Sequence, residues 1–286
     1  MLVRLKSVRL RNLHVVTSLI KKTTTPFLKW VGGKRWLVEQ YSEMLPISYN
    51  RYIEPFLGSG AVFFHLKPER ALLSDLNREL IECYQQMRAD PQGLSALLAE
   101  HQGKHCKEYY YGVRANIPAT PSKRAARFLY LNRTCWNGLY RVNLKGQFNV
   151  PIGTKTNVLL TTDDFQETSS LLEHADITHS DFEDTLNKAI EGDFVYIDPP
   201  YTVKHNYNGF LKYNESIFRW KDQERLHAAA VRAKQRGATV VISNAAHVSL
   251  YELYKNSKTI LTINRSSVLA ASSAKRGQVE EILVRL

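Results

Sequence analysis

Short apolar segments alternate with helical patterns along much of the 286-residue chain, and this alternation restricts the fold more than any other feature. Helical patterns include 222-DQERLHAAAVRAKQR-236, after which Gly237 stands where a helix commonly ends. Such alternation predicts an α/β sheet with crossover helices. Six apolar segments have the length and residue types of strands, the last two able to pair as a closing hairpin: 51-RYIEP-55, 70-RALLSD-75, 193-DFVYID-198, 239-TVVISN-244, 260-ILTINRS-266 and 279-VEEILVRL-286.

The middle of the chain, roughly residues 90–160, breaks this alternation. A helical pattern at 122–133 is followed by a loop rich in glycine and asparagine at 135–153. From Tyr109 to Thr162 there is no acidic residue, although the chain has 27 of them. Charge blocks are usually solvated surfaces, but one of this length favours a polyanionic partner. We therefore interpret the middle as an inserted lobe.

Composition narrows the class of protein. A hydrophobic fraction of 44% predicts a packed core, and no apolar stretch is long enough to span a membrane. Cys83, Cys106 and Cys135 lack CxxC spacing, which disfavours a disulfide scaffold or a structural zinc site and favours a reducing compartment. The net charge is +12, and residues 1–24 hold six basic residues and no acidic one. We interpret them as a basic arm without a secretory signal.

The segment 53-IEPFLGSGAVFFHL-66 places a glycine-rich turn between a short strand and an apolar helix. Gly58 and Gly60 let the backbone approach a ligand, and the N-terminus of the helix adds partial positive charge. Asp75 ends the next predicted strand, where an acid can bind the two hydroxyls of a ribose. The glycines alone are equally explained by a structural turn, but together with Asp75 they favour nucleoside binding.

A second glycine motif, 27-FLKWVGGKRWL-37, invites a phosphate-loop interpretation. The spacing disfavours it, because Leu28 stands where the first glycine is needed and Arg35 replaces the Ser or Thr after the lysine. The alternative is a loop that closes over a ligand, with Lys34 for a carboxylate and Trp30 for a planar group. For Trp30, packing in the core is an alternative that stays open.

The stretch 198-DPPY-201 follows the apolar residues 194–197 directly. Ligands of open α/β sheets bind beyond the carboxyl ends of the strands, so Asp198 is expected to face the pocket of the glycine turn. Pro199 holds a carbonyl that can accept a hydrogen bond, and Tyr201 offers a flat ring. Two acceptors beside an aromatic ring suit an exocyclic amine on a planar base. The structural alternative is a strand that ends at prolines.

Five segments, in this order, resemble the Dam-type DNA adenine-N6 methyltransferases: PFLKWVGGK, EPFLGSGAVF, LLSDLN, LYLNRTCWNGLYRVNLKGQFNVPIG and DPPY. The resemblance covers residues 26–286. It implies a Rossmann-like S-adenosylmethionine-dependent methyltransferase sheet with an inserted, mostly helical DNA-recognition lobe. We accordingly expect a basic arm at 1–24, a catalytic domain at 25–76 and 162–286, and a target-recognition domain at 77–161.

The resemblance also implies roles for individual residues, and no metal. Catalysis is expected of Asp198, Pro199 and Tyr201. Cofactor binding is expected of Trp30, Lys34, Phe56, Gly58, Gly60, Asp75, Asp181, Phe182 and Asp198. DNA contacts are expected of Lys29, Arg133, Trp136, Asn137, Leu139, Arg141 and Pro151. Within that set, Arg133 would meet phosphate, Trp136 would insert into the opened stack, and Arg141 would read a guanine. The family often has tyrosine at position 136, and tryptophan keeps the stacking face without the phenol hydroxyl.

The activity implied is methyl transfer from S-adenosyl-L-methionine, which leaves S-adenosyl-L-homocysteine, to adenine N6 in duplex DNA. The implied target is GATC, with the adenine flipped out of the duplex. An RNA or other nucleobase-amine methyltransferase is the alternative, because DPPY does not distinguish DNA from RNA. A non-catalytic DNA-binding protein would need a broken motif, and none is broken. Cytosine-C5 chemistry is disfavoured, since Cys135 lies away from the glycine turn. We expect a monomeric, cytoplasmic enzyme associated with the nucleoid and with double-stranded DNA as its partner.

Overall fold

The computed structural model describes residues 24–143, 145–203, 218–266 and 278–286. The basic arm predicted at 1–24 lies outside these ranges except for Thr24. That residue is buried and donates its hydroxyl to Oε1 of Glu167 at 2.7 Å. In these ranges, no helix has both the length and the apolar character needed to cross a bilayer.

A mixed sheet lies at the centre of the described chain. Its strands run β3-β2-β1-β4-β5-β7-β6, with parallel pairing from β3 to β5 and β7 antiparallel to both of its neighbours. This arrangement confirms the predicted α/β sheet and its closing antiparallel pair. The strands are β1 Tyr52–Glu54, β2 Ala71–Asp75, β3 Ala175–His179, β4 Phe194–Ile197, β5 Thr239–Ala245, β6 Thr259–Ser266 and β7 Gln278–Arg285.

Helices surround the sheet, and the side chains of its strands divide between two hydrophobic cores. Tyr52 and Leu73 pack in one core, while Ile53 and Leu72 pack in the other, as the alternation of side chains along a strand requires. The helices are α1 Arg35–Gln40, α2 Ala61–Leu66, α3 Arg78–Ala89, α4 Pro91–Lys104, α5 Lys107–Ala115, α6 Pro121–Thr134, α7 Phe165–Leu172, α8 Phe182–Leu186, α9 Trp220–Gln235 and α10 Val248–Leu253. Gly237 follows α9 with φ +94°, as its position in the sequence predicted.

The strand order reverses beside β1. The chain passes outward from β1 to β2 and β3, then returns to place β4 on the other side of β1. A crevice for a ligand opens beyond the carboxyl ends of parallel strands at such a point. The ends of β1, β2 and β4 carry Glu54, Asp75 and, one residue on, Asp198. The fold therefore brings the glycine turn and the DPPY stretch to the same edge of the sheet.

The helices α4, α5 and α6 occupy the acid-free and flanking residues that were predicted to form a lobe. The helix α6 is buried from residue 125 to residue 134. The helix α3 contacts α6 as well as β2 and β3, and one hydrophobic core continues from the sheet into this region. The domain boundaries at residues 77 and 161 remain predictions.

Candidate active site

A cavity of about 690 Å³ lies beyond the carboxyl ends of β1, β2 and β4. This volume is typical of sites for small ligands and cofactors. The cavity brings together residues from the three motifs of the sequence, namely the glycine motif at 27–37, the glycine turn at 53–66 with Asp75, and the stretch 198-DPPY-201. Its predicted cofactor and catalytic residues are Trp30, Lys34, Phe56, Gly58, Asp75, Asp181, Phe182, Asp198, Pro199 and Tyr201.

The glycine turn is held open by its backbone conformation. Gly58 and Gly60 have φ values of +47° and +65°, in a backbone region that residues other than glycine rarely adopt. A Cβ atom at Gly58 would also lie 2.7 Å from Cδ1 of Trp30. Gly60 immediately precedes α2 and is buried behind the turn. Both glycines are therefore required by the shape of the turn, and the Trp30 ring closes one side of it.

Asp75 fixes the turn from the neighbouring strand. Its Oδ2 accepts a hydrogen bond from the Gly58 amide at 3.1 Å, and its Oδ1 accepts one from the Asn77 amide at 2.9 Å. Burial raises the pKa of Asp75, and these two amide donors act in the opposite direction. Each carboxylate oxygen can accept two hydrogen bonds, so Asp75 keeps acceptor capacity toward the cavity that it lines.

Aromatic rings form a second part of the cavity. Phe56 and Phe182 stack with centroids 5.4 Å apart and an interplanar angle of 23°. The guanidinium of Arg225 lies 4.1 Å from the Phe182 centroid and binds both oxygens of Asp181, at 2.9 and 3.0 Å. Asp181 also caps α8 through the Glu183 amide. Arg225, which was not predicted as a site residue, therefore orients the Asp181 carboxylate beside two stacked rings.

A buried ammonium lies beside the Asp198 carboxylate. Nζ of Lys34 is 2.9 Å from Oδ1 of Asp198 and 3.5 Å from Oε2 of Glu281. Lys34 and Glu281 are 3% and 1% exposed, whereas Asp198 is 20% exposed and lines the cavity. Nζ of Lys34 also donates to the carbonyl of Gly32. Asp198 is thus the more accessible of the two carboxylates, and its ion pair with the buried Lys34 holds it in place.

The ring of Tyr201 lies in the same centre. Its hydroxyl is 2.7 Å from Oε2 of Glu281 and 3.0 Å from Oγ of Ser243. Burial, followed by the negative charges of Asp198 and Glu281, raises the pKa of Tyr201 well above its ordinary value. The phenol therefore stays protonated and donates a hydrogen bond to Glu281.

Two buried acids, Glu54 and Glu281, were not predicted as site residues. Glu54 ends β1, lines the cavity and accepts a hydrogen bond from the Tyr52 hydroxyl at 2.9 Å. Burial raises its pKa well above the ordinary value, and the charges of Asp198 and Asp75 act in the same direction. The available signal was an acid inside an apolar strand segment, since such residues are rarely buried without a partner.

Six of the predicted DNA-contact residues lie on or beside the loop after α6. Trp136 is 43% exposed, and its amide donates to the carbonyl of Pro151, which is exposed too. Asn137 is exposed with φ +54°, and Leu139 lines the cavity. Arg141 is half-buried and donates from Nε to Oδ1 of Asn149 at 2.9 Å.

Lys29, the sixth, is exposed and joins this loop from the first glycine motif. The side chain of Asn132 bonds to both the amide and the carbonyl of Lys29, at 2.9 and 2.8 Å. A Cβ atom at Gly138 would lie 2.8 Å from Cδ of Lys29. The ring of Tyr140 stacks on Trp30, with centroids 5.5 Å apart. The loop after α6 is therefore in direct contact with the wall of the cavity.

Arg133 does not belong to this surface. Its side chain is 1% exposed and binds both oxygens of Asp163, at 2.6 and 2.7 Å. It also donates to the carbonyls of Val158 and Phe27. The predicted phosphate contact does not fit this enclosure, because the guanidinium is surrounded by protein. Arg133 instead ties α6 to the chain at residues 27 and 158–163.

Comparisons with known proteins agree with this arrangement. Residues 30–268 match the family model of the D12 class N6 adenine-specific DNA methyltransferases. The chain is 39% identical over 270 residues to the type II methyltransferase M1.LlaDCHI of Lactococcus lactis subsp. cremoris, which covers 91% of this chain and 94% of that protein. It is 33% identical over 282 residues to the type II methyltransferase M.MjaIII of Methanocaldococcus jannaschii, covering 91% and 98%. It is 32% identical over 267 residues to the DNA adenine methylase of Escherichia coli strain K12, covering 92% and 95%. The family model spans most of the chain, and the relatives align over nearly their full lengths. The chain therefore belongs to the D12 class of N6 adenine-specific DNA methyltransferases.

Proposed function

We propose that this enzyme binds S-adenosylmethionine in the cavity and methylates N6 of an adenine that is flipped out of duplex DNA, within the sequence GATC. The continuity of the cavity is the main support for this proposal. The cavity runs from the glycine turn and Asp75 to Asp198 and reaches Leu139 in the acid-free loop. A donor held at the turn and a base delivered by the loop would meet beside Asp198.

The residues around the glycine turn fit S-adenosylmethionine. Gly58 has no Cβ, so the Trp30 ring packs directly against the turn, and both residues line the cavity. Asp75, which lines the same cavity, suits the hydroxyls of a ribose. The rings of Phe56 and Phe182 suit an adenine, with Asp181 as an acceptor for its amine. When bound, this cofactor supplies an activated methyl group on a sulfonium centre.

The catalytic step proposed for this site depends on positioning. Asp198 and the carbonyl of Pro199 accept hydrogen bonds from the two N6 hydrogens of the target adenine, and the ring of Tyr201 stacks on the base. These bonds draw the nitrogen lone pair out of conjugation with the purine ring and fix its direction. Lys34 holds the carboxylate of Asp198 at 2.9 Å, so little reorganisation is needed when the base arrives.

A labelled methyl donor separates this proposal from its alternative. The protein is incubated with labelled S-adenosylmethionine in three separate reactions. They contain duplex DNA with GATC, duplex DNA without GATC, and RNA. We expect label on adenine in the first substrate. Label confined to RNA would contradict the proposal and favour an RNA methyltransferase.

Arg141 is expected to read a guanine of the target. Arginine makes a bidentate contact to guanine that is worth about 1–3 kcal/mol of discrimination. We expect Arg141→Ala to reduce the ratio of methylation rates between GATC and a duplex with that guanine replaced. The exposed Lys145 is the control, and Lys145→Ala should change the salt dependence of binding more than the rate ratio. An equal loss for Arg141→Ala on every sequence would contradict base reading.

Trp136 is expected to stack between bases in the opened duplex. Its side chain is 43% exposed, so Trp136→Ala should lower the free energy of unfolding by about 0.5–3 kcal/mol while the protein remains folded. The loss of stacking should weaken DNA binding by about 1–3 kcal/mol, measured by fluorescence anisotropy with labelled duplex. Trp136→Tyr keeps an aromatic face and should restore most of the affinity. Unchanged affinity for Trp136→Ala would exclude insertion into the stack.

A further inference from the structure

A buried carboxylate lies directly behind the active centre. Glu281 on β7 is 1% exposed, and its Oε2 is 2.7 Å from the hydroxyl of Tyr201. The same oxygen is 3.5 Å from Nζ of Lys34, whose other carboxylate neighbour is Asp198. Ser243 on β5, also 1% exposed, is 3.0 Å from the Tyr201 hydroxyl on a second side. Glu281 therefore contacts two of the groups to which the proposed mechanism gives a role.

The sheet alone does not require an acid at this position. β7 lies between β5 and β6, and the three residues after Glu281 are buried and apolar. Burying an ionised carboxylate is costly unless it is paired and hydrogen-bonded. An apolar residue would satisfy the strand, so the partners of Glu281 in the active centre account for the acid.

We propose that Glu281 is a positioning residue that orients Tyr201 and Lys34 for methyl transfer. This inference rests on the proposed function, since it concerns the same reacting site. The hydrogen bond to the hydroxyl fixes the plane of the Tyr201 ring, on which the target base is proposed to stack. Glu281 acts through these neighbours, because it is enclosed behind them.

The second effect of Glu281 concerns the acceptor strength of Asp198. Lys34 is shared between two carboxylates, at 2.9 and 3.5 Å. If the charge of Glu281 is removed, the ammonium interacts more strongly with Asp198. Asp198 then becomes a weaker acceptor for the hydrogens of the substrate amine. Loss of Glu281 should therefore lower kcat more than it alters the binding of substrates.

The substitution Glu281→Gln tests this role, with Glu280→Gln as the matched control. Both change one carboxylate to an amide on the same strand, but the side chain of Glu280 is exposed. We expect Glu281→Gln to lower kcat on GATC duplex roughly 10- to 100-fold, with the Kd of S-adenosylmethionine, measured by calorimetry, within about twofold of wild type. Glu280→Gln should match the wild type. A Glu281→Gln enzyme with wild-type kcat would overturn the positioning role.

A double-mutant cycle with Tyr201→Phe distinguishes positioning from a purely structural effect. Glu281→Gln weakens the hydrogen bond from the Tyr201 hydroxyl by removing the charge of its acceptor, whereas Tyr201→Phe removes that bond and keeps the ring. We expect Glu281→Gln to have a smaller effect on kcat in the Tyr201→Phe background than in the wild type, because the two residues share one contact. Fully additive effects would contradict the route through Tyr201. If Glu281→Gln does not fold, the kcat of Tyr201→Phe decides, and a wild-type value overturns the inference.

The same experiment separates this inference from the proposed function. A wild-type protein that transfers no methyl group to adenine would overturn the proposed function itself. A wild-type protein active on adenine, with Asp198→Ala inactive and Glu281→Gln fully active, would overturn the positioning role alone.

Discussion

Replacing Asp198 with alanine is expected to abolish measurable methyl transfer, a loss of roughly 10²–10³-fold or more, while the protein still folds and binds DNA. The carboxylate is the acceptor proposed for the N6 amine, and its loss removes the bond that directs the nitrogen lone pair. Lys34 keeps Glu281 at 3.5 Å, so its buried charge retains an anionic neighbour in the variant. Activity is measured with labelled S-adenosylmethionine, and DNA affinity by anisotropy.

A matched substitution controls for the loss of any carboxylate. Asp176 on the edge strand β3 is exposed, and Asp176→Ala should methylate DNA at nearly the wild-type rate. Asp198→Asn, which preserves the shape of the side chain, should resemble Asp198→Ala rather than the wild type. Methylation at near wild-type rates by Asp198→Ala would contradict the assignment of this residue.

Replacing Arg133 with methionine is expected to destabilise the protein by about 3–5 kcal/mol. The substitution leaves Asp163, which is 11% exposed, without the guanidinium that binds both of its oxygens. It also removes the donors to the carbonyls of Val158 and Phe27. The free energy of unfolding is measured by urea denaturation.

Lys123 on the same helix provides the comparison. Its side chain is exposed, so Lys123→Met should change the free energy of unfolding by no more than about 0.5 kcal/mol. If Arg133→Met were as stable as the wild type but had a shallower salt dependence of DNA binding, the original expectation of a phosphate contact would be favoured instead.

The parts of the structure that the sequence predicted well are those determined by local pattern. The apolar segments ending at Asp75 and Asp198 form strands that end at, or one residue before, these acids. The helical face of Leu226, Ala229, Ala230 and Ala233 is buried, as its spacing indicated. The strand β3 was missed because Asp176 and His179 are exposed on it, which leaves no continuous apolar run.

The parts that the sequence did not predict depend on partners distant in the chain. Arg133 lies in a region without acids, which suggested a surface contact, but its partner is 30 residues away in Asp163. Glu281 contacts Tyr201, which is 80 residues away in the chain, and Arg225 contacts Asp181, which is 44 residues away. These contacts depend on the order of the strands in the sheet, and local sequence patterns do not predict that order.

Mapping N6-methyladenine in plasmid DNA shows whether the enzyme methylates adenine in cells and in which sequence. The plasmid is recovered from cells that express the protein and lack adenine methylation of their own, and it is sequenced by a long-read method that detects the modified base. We expect N6-methyladenine in GATC for the wild type and none for Asp198→Ala. Unmodified adenine in the wild-type sample would contradict the assigned activity, and methyladenine confined to another sequence would contradict the GATC target.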